Sequence, residues 1–240
     1  MSGHSKWHNI QGRKSVQDKK RSKIFQKLSH DLYVAAKSGG ADQSSNSSLR
    51  LVMEKAKEAN MPKDNVKRAI DKATGAGGIK FEDVTYGGYA PGGVAVLVQA
   101  STDNINRTVS SLRNSFSHHG GSLGTSGSVS FQFNQRGRFV INRKKYPNIT
   151  EDKIMDDAIE AGAEDVKTNE NYFKIYTQAA DFSSVEDFLM KKGYNFDDAE
   201  ITMIPKNHVR IPDANREKFE KLVDELEDND DILAVYTTAK

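Results

Sequence analysis

Between Lys20 and Lys37 the apolar residues Ile24, Leu28, Leu32 and Ala35/Ala36 recur at three- or four-residue spacing, with Phe25 alongside. That period lines one face of a helix. Gly39-Gly40 ends it, and Gln43 to Ser48 reads as a polar loop. Leu49, Val52, Met53, Ala56 and Ala59 predict a second helix. Pro62 suits the first turn of a third, and Asp64 complements its positive N-terminal end. Val66, Ala69, Ile70 and Ala73 form the third stripe, and Gly75, Gly77 and Gly78 mark a boundary. Three short amphipathic helices cannot bury their stripes alone, so they read as one three-helix unit. Residues 1–18 are polar, basic and aperiodic apart from Trp7 and Ile10, and read as an arm.

After Gly78 the period changes. Phe81–Tyr89 and Val94–Ala100 read as strands joined across a turn-rich stretch with Pro91-Gly92-Gly93. Asn104–Phe116 reads as a helix with Ile105, Val109 and Leu112 on its stripe, and Val129–Phe133 as a strand. Then come a strand at Gly137–Arg143, a helix at Glu151–Ala161, strands at Asp165–Thr168 and Tyr172–Thr177, a helix at Val185–Lys191 and a strand at Ala199–Ile204. This β-α-β-β-α-β order is that of a ferredoxin-like fold. A strand near His208–Ile211, a helix at Asp213–Asp228 carrying Phe219, Leu222, Val223 and Leu226, and a strand at Ile232–Thr237 close the chain. The fold class is α+β. The pattern admits two topologies: 134–205 inserted into a domain made of 79–133 and 206–240, or two domains in sequence.

Charge sharpens the division. The net +2 of the 240 residues conceals a split. Residues 1–72 hold 16 Lys/Arg against 7 Asp/Glu, net +9, and the remainder holds 19 against 26, net −7. The first part attracts polyanions and the second is repelled by them. The absence of cysteine excludes a disulfide framework, an iron–sulfur cluster and a thiol nucleophile. No stretch approaches the roughly 20 apolar residues of a membrane helix. Glycine stands at position 3 rather than 2, against N-myristoylation. The expectation is a cytoplasmic protein with no membrane partner.

The opening Ser2-Gly3-His4-Ser5-Lys6-Trp7-His8-Asn9-Ile10 and the run Lys19-Lys20-Arg21-Ser22-Lys23-Ile24-Phe25 resemble the start of the YebC/PmpR family. Ala35-Ala36-Lys37-Ser38-Gly39-Gly40, Asn60-Met61-Pro62-Lys63-Asp64-Asn65 and Gly120-Gly121-Ser122-Leu123-Gly124 extend the resemblance over the whole chain. That family includes the mitochondrial translational activator of cytochrome c oxidase. The resemblance implies three domains: a helical one at 1–78, then two α+β domains, with the ferredoxin-like one at 134–205 inserted between 79–133 and 206–240. It implies a DNA-binding transcriptional regulator, as bacterial members are classed, or a translation factor acting at the ribosome. It supplies no catalytic residue and no cofactor.

Several constellations carry chemistry. Lys6, Arg13, Lys14, Lys19, Lys20, Arg21, Lys23 and Lys27 form a basic cluster interrupted by Asp18. Lys20, Lys23 and Lys27 share the polar face of the first helix, where they could neutralise several phosphates or form a solvated face. Trp7 either stacks a base or anchors the arm by packing. His4 and His8 have a metal-compatible spacing without a third ligand, and His118-His119 is ordinary capping chemistry at a helix end. Gly120, Gly121, Ser122, Leu123 and Gly124 read as a loop, either a flexible connection or one whose backbone approaches RNA or a ribosomal partner. The acidic run Asp224, Glu225, Glu227, Asp228, Asp230 and Asp231 lacks calcium-loop spacing and reads as a solvated helix end. No hydrolase elbow, metalloprotease helix or phosphate-loop motif occurs. The sum is a non-enzymatic nucleic-acid binder, with no metal, cofactor or small-molecule substrate expected. The sequence leaves its oligomeric state open.

Overall fold

The computed structural model describes residues 4–76, 78, 80–125 and 127–240, with the side chains of 4–20, Lys23 and Ser47 outside that description. The chain divides into two compact units, Met1–Ser130 with His208–Lys240, and Phe131–Asn207.

The first unit begins with three helices, α1 (His4–Gly39), α2 (Ser47–Glu58) and α3 (Lys63–Thr74). The expected arm is therefore continuous with the first helix, which runs from His4. Gly40 leaves α1 at φ +81°, a conformation that costs glycine little. Asn46 then makes the α1–α2 corner. Its side chain accepts from the Leu49 amide at 2.9 Å and donates to the Ala35 and Gly40 carbonyls, each at 2.8 Å. One buried side chain thus caps α2 and ties it to α1. Gly75 closes α3 in the left-handed region. Leu28, Leu32, Ala35 and Ala36 bury against Leu49, Ala56, Ala69 and Ala73. Ile24 departs from the expected stripe and is 51% exposed, since Phe25 beside it takes the inward position and packs against the core.

The chain continues through β1 (Glu82–Ala90), β2 (Val94–Thr102), α4 (Ile105–His118), β3 (Ser122–Gly124) and the single turn α5 (Gly127–Ser130). Here the structure corrects the expected strand at Val129–Phe133. Val129 is fully buried on a helical turn and plugs the space beside Gly87, where a Cβ would come within 2.6 Å of its Cγ2.

The second unit is β4 (Phe133–Asn142), α6 (Glu151–Ala161), β5 (Asp165–Thr168), β6 (Tyr172–Gln178), α7 (Phe182–Lys191) and β7 (Asp198–Pro205). Its antiparallel sheet has the order β5-β6-β4-β7, the arrangement of a split β-α-β fold. Phe139, Ile141, Phe173 and Ile175 of the sheet bury against Ile154, Ala158, Val185 and Leu189 of the helices.

The chain then returns to the first unit with α8 (Asp213–Glu227) and β8 (Ile232–Thr237). β8 pairs antiparallel with β2, giving the sheet order β3-β1-β2-β8. The expected strand at His208–Ile211 reduces to one bridge, Val209 to Ala239. Leu112 and Phe116 of α4 and Leu222 and Leu226 of α8 bury against Val94, Val96 and Val98 of β2. The molecule is α+β, with two four-stranded antiparallel sheets.

Candidate nucleic-acid interface

Helix α1 carries nine of the 16 Lys/Arg found in residues 1–72. Its 36 residues contain nine Lys/Arg and two Asp, spread over about 54 Å at 1.5 Å per residue. Lys20, Lys23 and Lys27 stand three and four positions apart, one face of a helix. Lys27 is exposed, as is Arg21, whose guanidinium lies 5.5 Å from the Phe25 ring. The side chains of Lys6, Trp7, Arg13, Lys14, Lys19, Lys20 and Lys23 lie outside the described residues, as do those of His4 and His8.

A different face of α1 is tied to the end of α8 and to the sheet. The Gln26 side chain donates to the Glu227 carbonyl at 2.8 Å. The Ser22 hydroxyl donates to Asp228 at 3.4 Å. Further along, the Tyr33 hydroxyl donates to Asp83 and accepts from Ser101 at 3.3 Å, while Lys37 stands 3.5 Å from Asp83. Burial, then the bond to Asp83, pushes the Tyr33 phenol above its ordinary pKa. From α3, the Lys72 ammonium donates to the Asp230 carbonyl at 2.8 Å. Burial pulls the Lys72 pKa down against the opposing pull of Asp231 and Asp230. A cavity of about 240 Å³ remains between these elements, with Phe25, His30, Arg68 and Asn229 among its walls.

The acidic run is only in part the solvated helix end expected of it: Glu225, Asp228 and Asp230 are exposed, while Asp231 is packed into the domain. Asp231 is 9% exposed and accepts from Thr108 at 2.7 Å, Thr102 at 3.2 Å and Arg107 at 3.0 Å. Asp224 to Asp231 folds back because its partners sit on β2, α3 and α4, more than a hundred residues away in sequence. Spacing within the run carries no sign of them. Among the described residues no three His, Cys, Asp or Glu side chains converge as a metal site.

The glycine-rich stretch is also more ordered than a loop. Ser122–Gly124 pairs antiparallel with Gly87–Tyr89 as an edge strand. A Cβ on Gly121 would lie 2.5 Å from the Tyr89 carbonyl oxygen, and one on Gly124 would lie 2.7 Å from Ser128 Oγ. Both glycines therefore permit close packing within the domain. Ser122 and Gly124 are exposed and Leu123 is half-buried. His119 caps α4 and pairs with Glu225 at 2.6 Å, and Ser115 donates to the other oxygen of Glu225 at 2.7 Å. The sequence reading saw the capping and missed Glu225.

Two family descriptions match the chain. The TACO1/YebC protein N-terminal domain matches residues 5–76, and the TACO1/YebC second and third domain matches residues 81–239. The chain is 73% identical over 239 residues to a probable transcriptional regulatory protein of Oenococcus oeni, covering all of both chains. It is 54% identical to another so named from Levilactobacillus brevis, covering all of this chain and 97% of that one. Among solved structures it resembles a conserved hypothetical protein from Aquifex aeolicus, with a TM-score of 0.72 and 42% identity over 92% of this chain and 90% of the other. No described helix is long and apolar enough to cross a membrane.

Proposed function

Since the chain belongs to the TACO1/YebC family, we propose that it is a non-enzymatic regulator of gene expression that binds duplex DNA through its basic helical domain. The observation that carries this reading is the concentration of nine cations against two carboxylates on α1, in a chain whose residues 73–240 are net acidic. Such an array meets a phosphate backbone, and the acidic α+β part stays off the polyanion. The names of the relatives, probable transcriptional regulatory proteins, support the regulatory role. The division is 1–78 as the binding domain, 79–133 with 206–240 as a discontinuous α+β domain, and 134–205 as the inserted one. The exposed edge strand at Ser122–Gly124 serves as a contact for a macromolecular partner.

The test is a salt series on duplex DNA and structured ribosomal RNA side by side. Four to six phosphate contacts give a slope of log affinity against log salt of roughly −4 to −5. DNA binding that survives competitor DNA supports the regulator. Weak DNA binding beside much tighter binding to ribosomal RNA overturns the DNA assignment in favour of a translation factor.

A further inference from the structure

Among the described residues, two surfaces complement each other in chemistry, one in each unit. The first is a groove of about 920 Å³ between α2 and α3. Met53, Met61, Val66 and Ile70 form its floor, and Met61 is buried to 6% exposure while the other three are half-buried. Arg50, Lys57, Lys63 and Lys67 stand on its rim with only Glu54 and Asp71 against them. None of these four cations has an ion-pair partner among the described residues. Among the described residues no aromatic ring lines the groove for a base to stack on, and its floor is aliphatic and thioether. Such a floor takes apolar side chains from a helix, and methionine adapts to their shape.

The second surface is the outer face of α6. Met155 and Ile159, one turn apart, are 40% and 63% exposed. Glu151, Asp152, Asp156 and Glu160 flank them, all exposed. The inner face of the same helix is filled by Ile154 and Ala158, so the outer stripe takes no part in the core. An acidic helix with two apolar anchors at i and i+4 is the chemical complement of the α2–α3 groove.

We propose that the protein self-associates head to tail, with Met155 and Ile159 of one copy seated on the Met53/Met61 floor of the next, and Asp152 and Asp156 against Lys63 and Lys67. Each copy then offers one groove and one helix. The contact is heterologous, so it builds a closed ring or an open row. Its small apolar area and exposed ion pairs make it weak and salt-dependent.

Sedimentation velocity on nuclease-treated full-length protein tests this. Self-association rises with concentration at low salt and falls with added salt. Asp152→Lys with Asp156→Lys in one variant, and Lys63→Glu with Lys67→Glu in another, each weaken it by about tenfold or more, which is about 1.4 kcal/mol. All four positions are exposed, so both variants keep the fold. Mixed together, the two variants associate again, because the intact groove of one meets the intact helix of the other and the reversed helix meets the reversed groove. The chain carrying all four changes self-associates again. A wild type that stays monomeric at several hundred micromolar overturns the proposal, as do variants that associate like wild type or a mixture that stays monomeric. Displacement of the contact by short duplex DNA alone would assign the groove to nucleic acid and also overturn it.

Discussion

The Asp231 carboxylate accepts a hydrogen bond from the Thr108 hydroxyl at 2.7 Å, joining the end of the acidic run to α4. Thr108 in turn stands 2.8 Å from Thr102, and both hydroxyls are buried. Burial pushes the Asp231 pKa up, but bonds from Thr108 and Arg107 and the charges of Arg107 and Lys72 outweigh it and hold the carboxyl below its ordinary value. A depressed pKa stabilises the fold above the unfolded value, near 4, and that stability is lost as pH falls through the folded value. Asp231→Ala removes the acceptor shared by Thr102, Thr108 and Arg107, although Thr108 keeps the Asn104 carbonyl and Arg107 keeps Asp103, so it destabilises by about 1–3 kcal/mol. Urea unfolding followed by circular dichroism reads this. Asp231→Asn should also flatten the loss of stability below pH 4. An Asp231→Ala midpoint equal to wild type would remove the network from the stability of the domain.

Glycine positions separate by what a Cβ would meet. At Gly121 it would press on the Tyr89 carbonyl oxygen at 2.5 Å, backbone that cannot rotate aside, and on Phe116 at 3.3 Å. Gly121→Ala is expected to cost about 3 kcal/mol or to part β3 from β1. Gly162 has φ +92° with open space around it, so Gly162→Ala meets only backbone strain of about 1–2 kcal/mol. Thermal unfolding of the two variants compares them directly. Equal costs would mean that β3 yields without resistance.

The contrast between legible and hidden features has a physical basis. Leu49, Val52, Met53 and Ala56 announced α2 because a helix buries one face at its own period. The β-α-β-β-α-β unit was legible for the same reason, its strands and helices each long enough to show a period. Ser122–Gly124 was not, since a three-residue edge strand is held by main-chain pairing and has no side-chain period to display. Val129 and Phe133 both bury, which imitates a strand, yet Phe131 between them is 64% exposed and the chain turns there. The basic cluster was visible as charge. Its backing was not, because Gln26 meets the Glu227 carbonyl across 201 residues.

Inside the second unit, Asp157 is a buried carboxylate on α6 with three partners. Lys153 reaches it at 2.7 Å, the Tyr194 hydroxyl donates at 2.7 Å, and Lys192 stands at 3.4 Å. Burial, then the bond to Asp157, raises the Tyr194 pKa strongly, so this phenol stays protonated as a donor at every ordinary pH. Tyr194→Phe removes one charge-assisted bond and leaves the two lysines, a loss of about 1.5–3 kcal/mol. Asp157→Ala strips all three and costs more. Urea midpoints of the two variants check the order, and a harmless Asp157→Ala would show that the lysines suffice with water.

The strongest test of the basic helix is charge reversal at Lys20, Lys23 and Lys27. Lys20, Lys23 and Lys27 lie at helical spacing on α1, while Leu28 and Leu32 on the same helix are buried. Reversing all three to Glu turns three cations into three carboxylates and leaves Leu28 and Leu32 unchanged. The unfolding midpoint should therefore stay within about 0.5 kcal/mol of wild type. Binding to nucleic acid should disappear at physiological salt, and any residual binding should show a salt slope smaller in magnitude by roughly 3. A single reversal at Lys27 should give a partial loss with the slope reduced by roughly 1. Electrophoretic mobility at three salt concentrations, with circular dichroism as the folding control, reads both. Unchanged binding by a folded triple variant would move the interface off this face of α1, and with it the claim that the net charge of the helix determines what the protein binds.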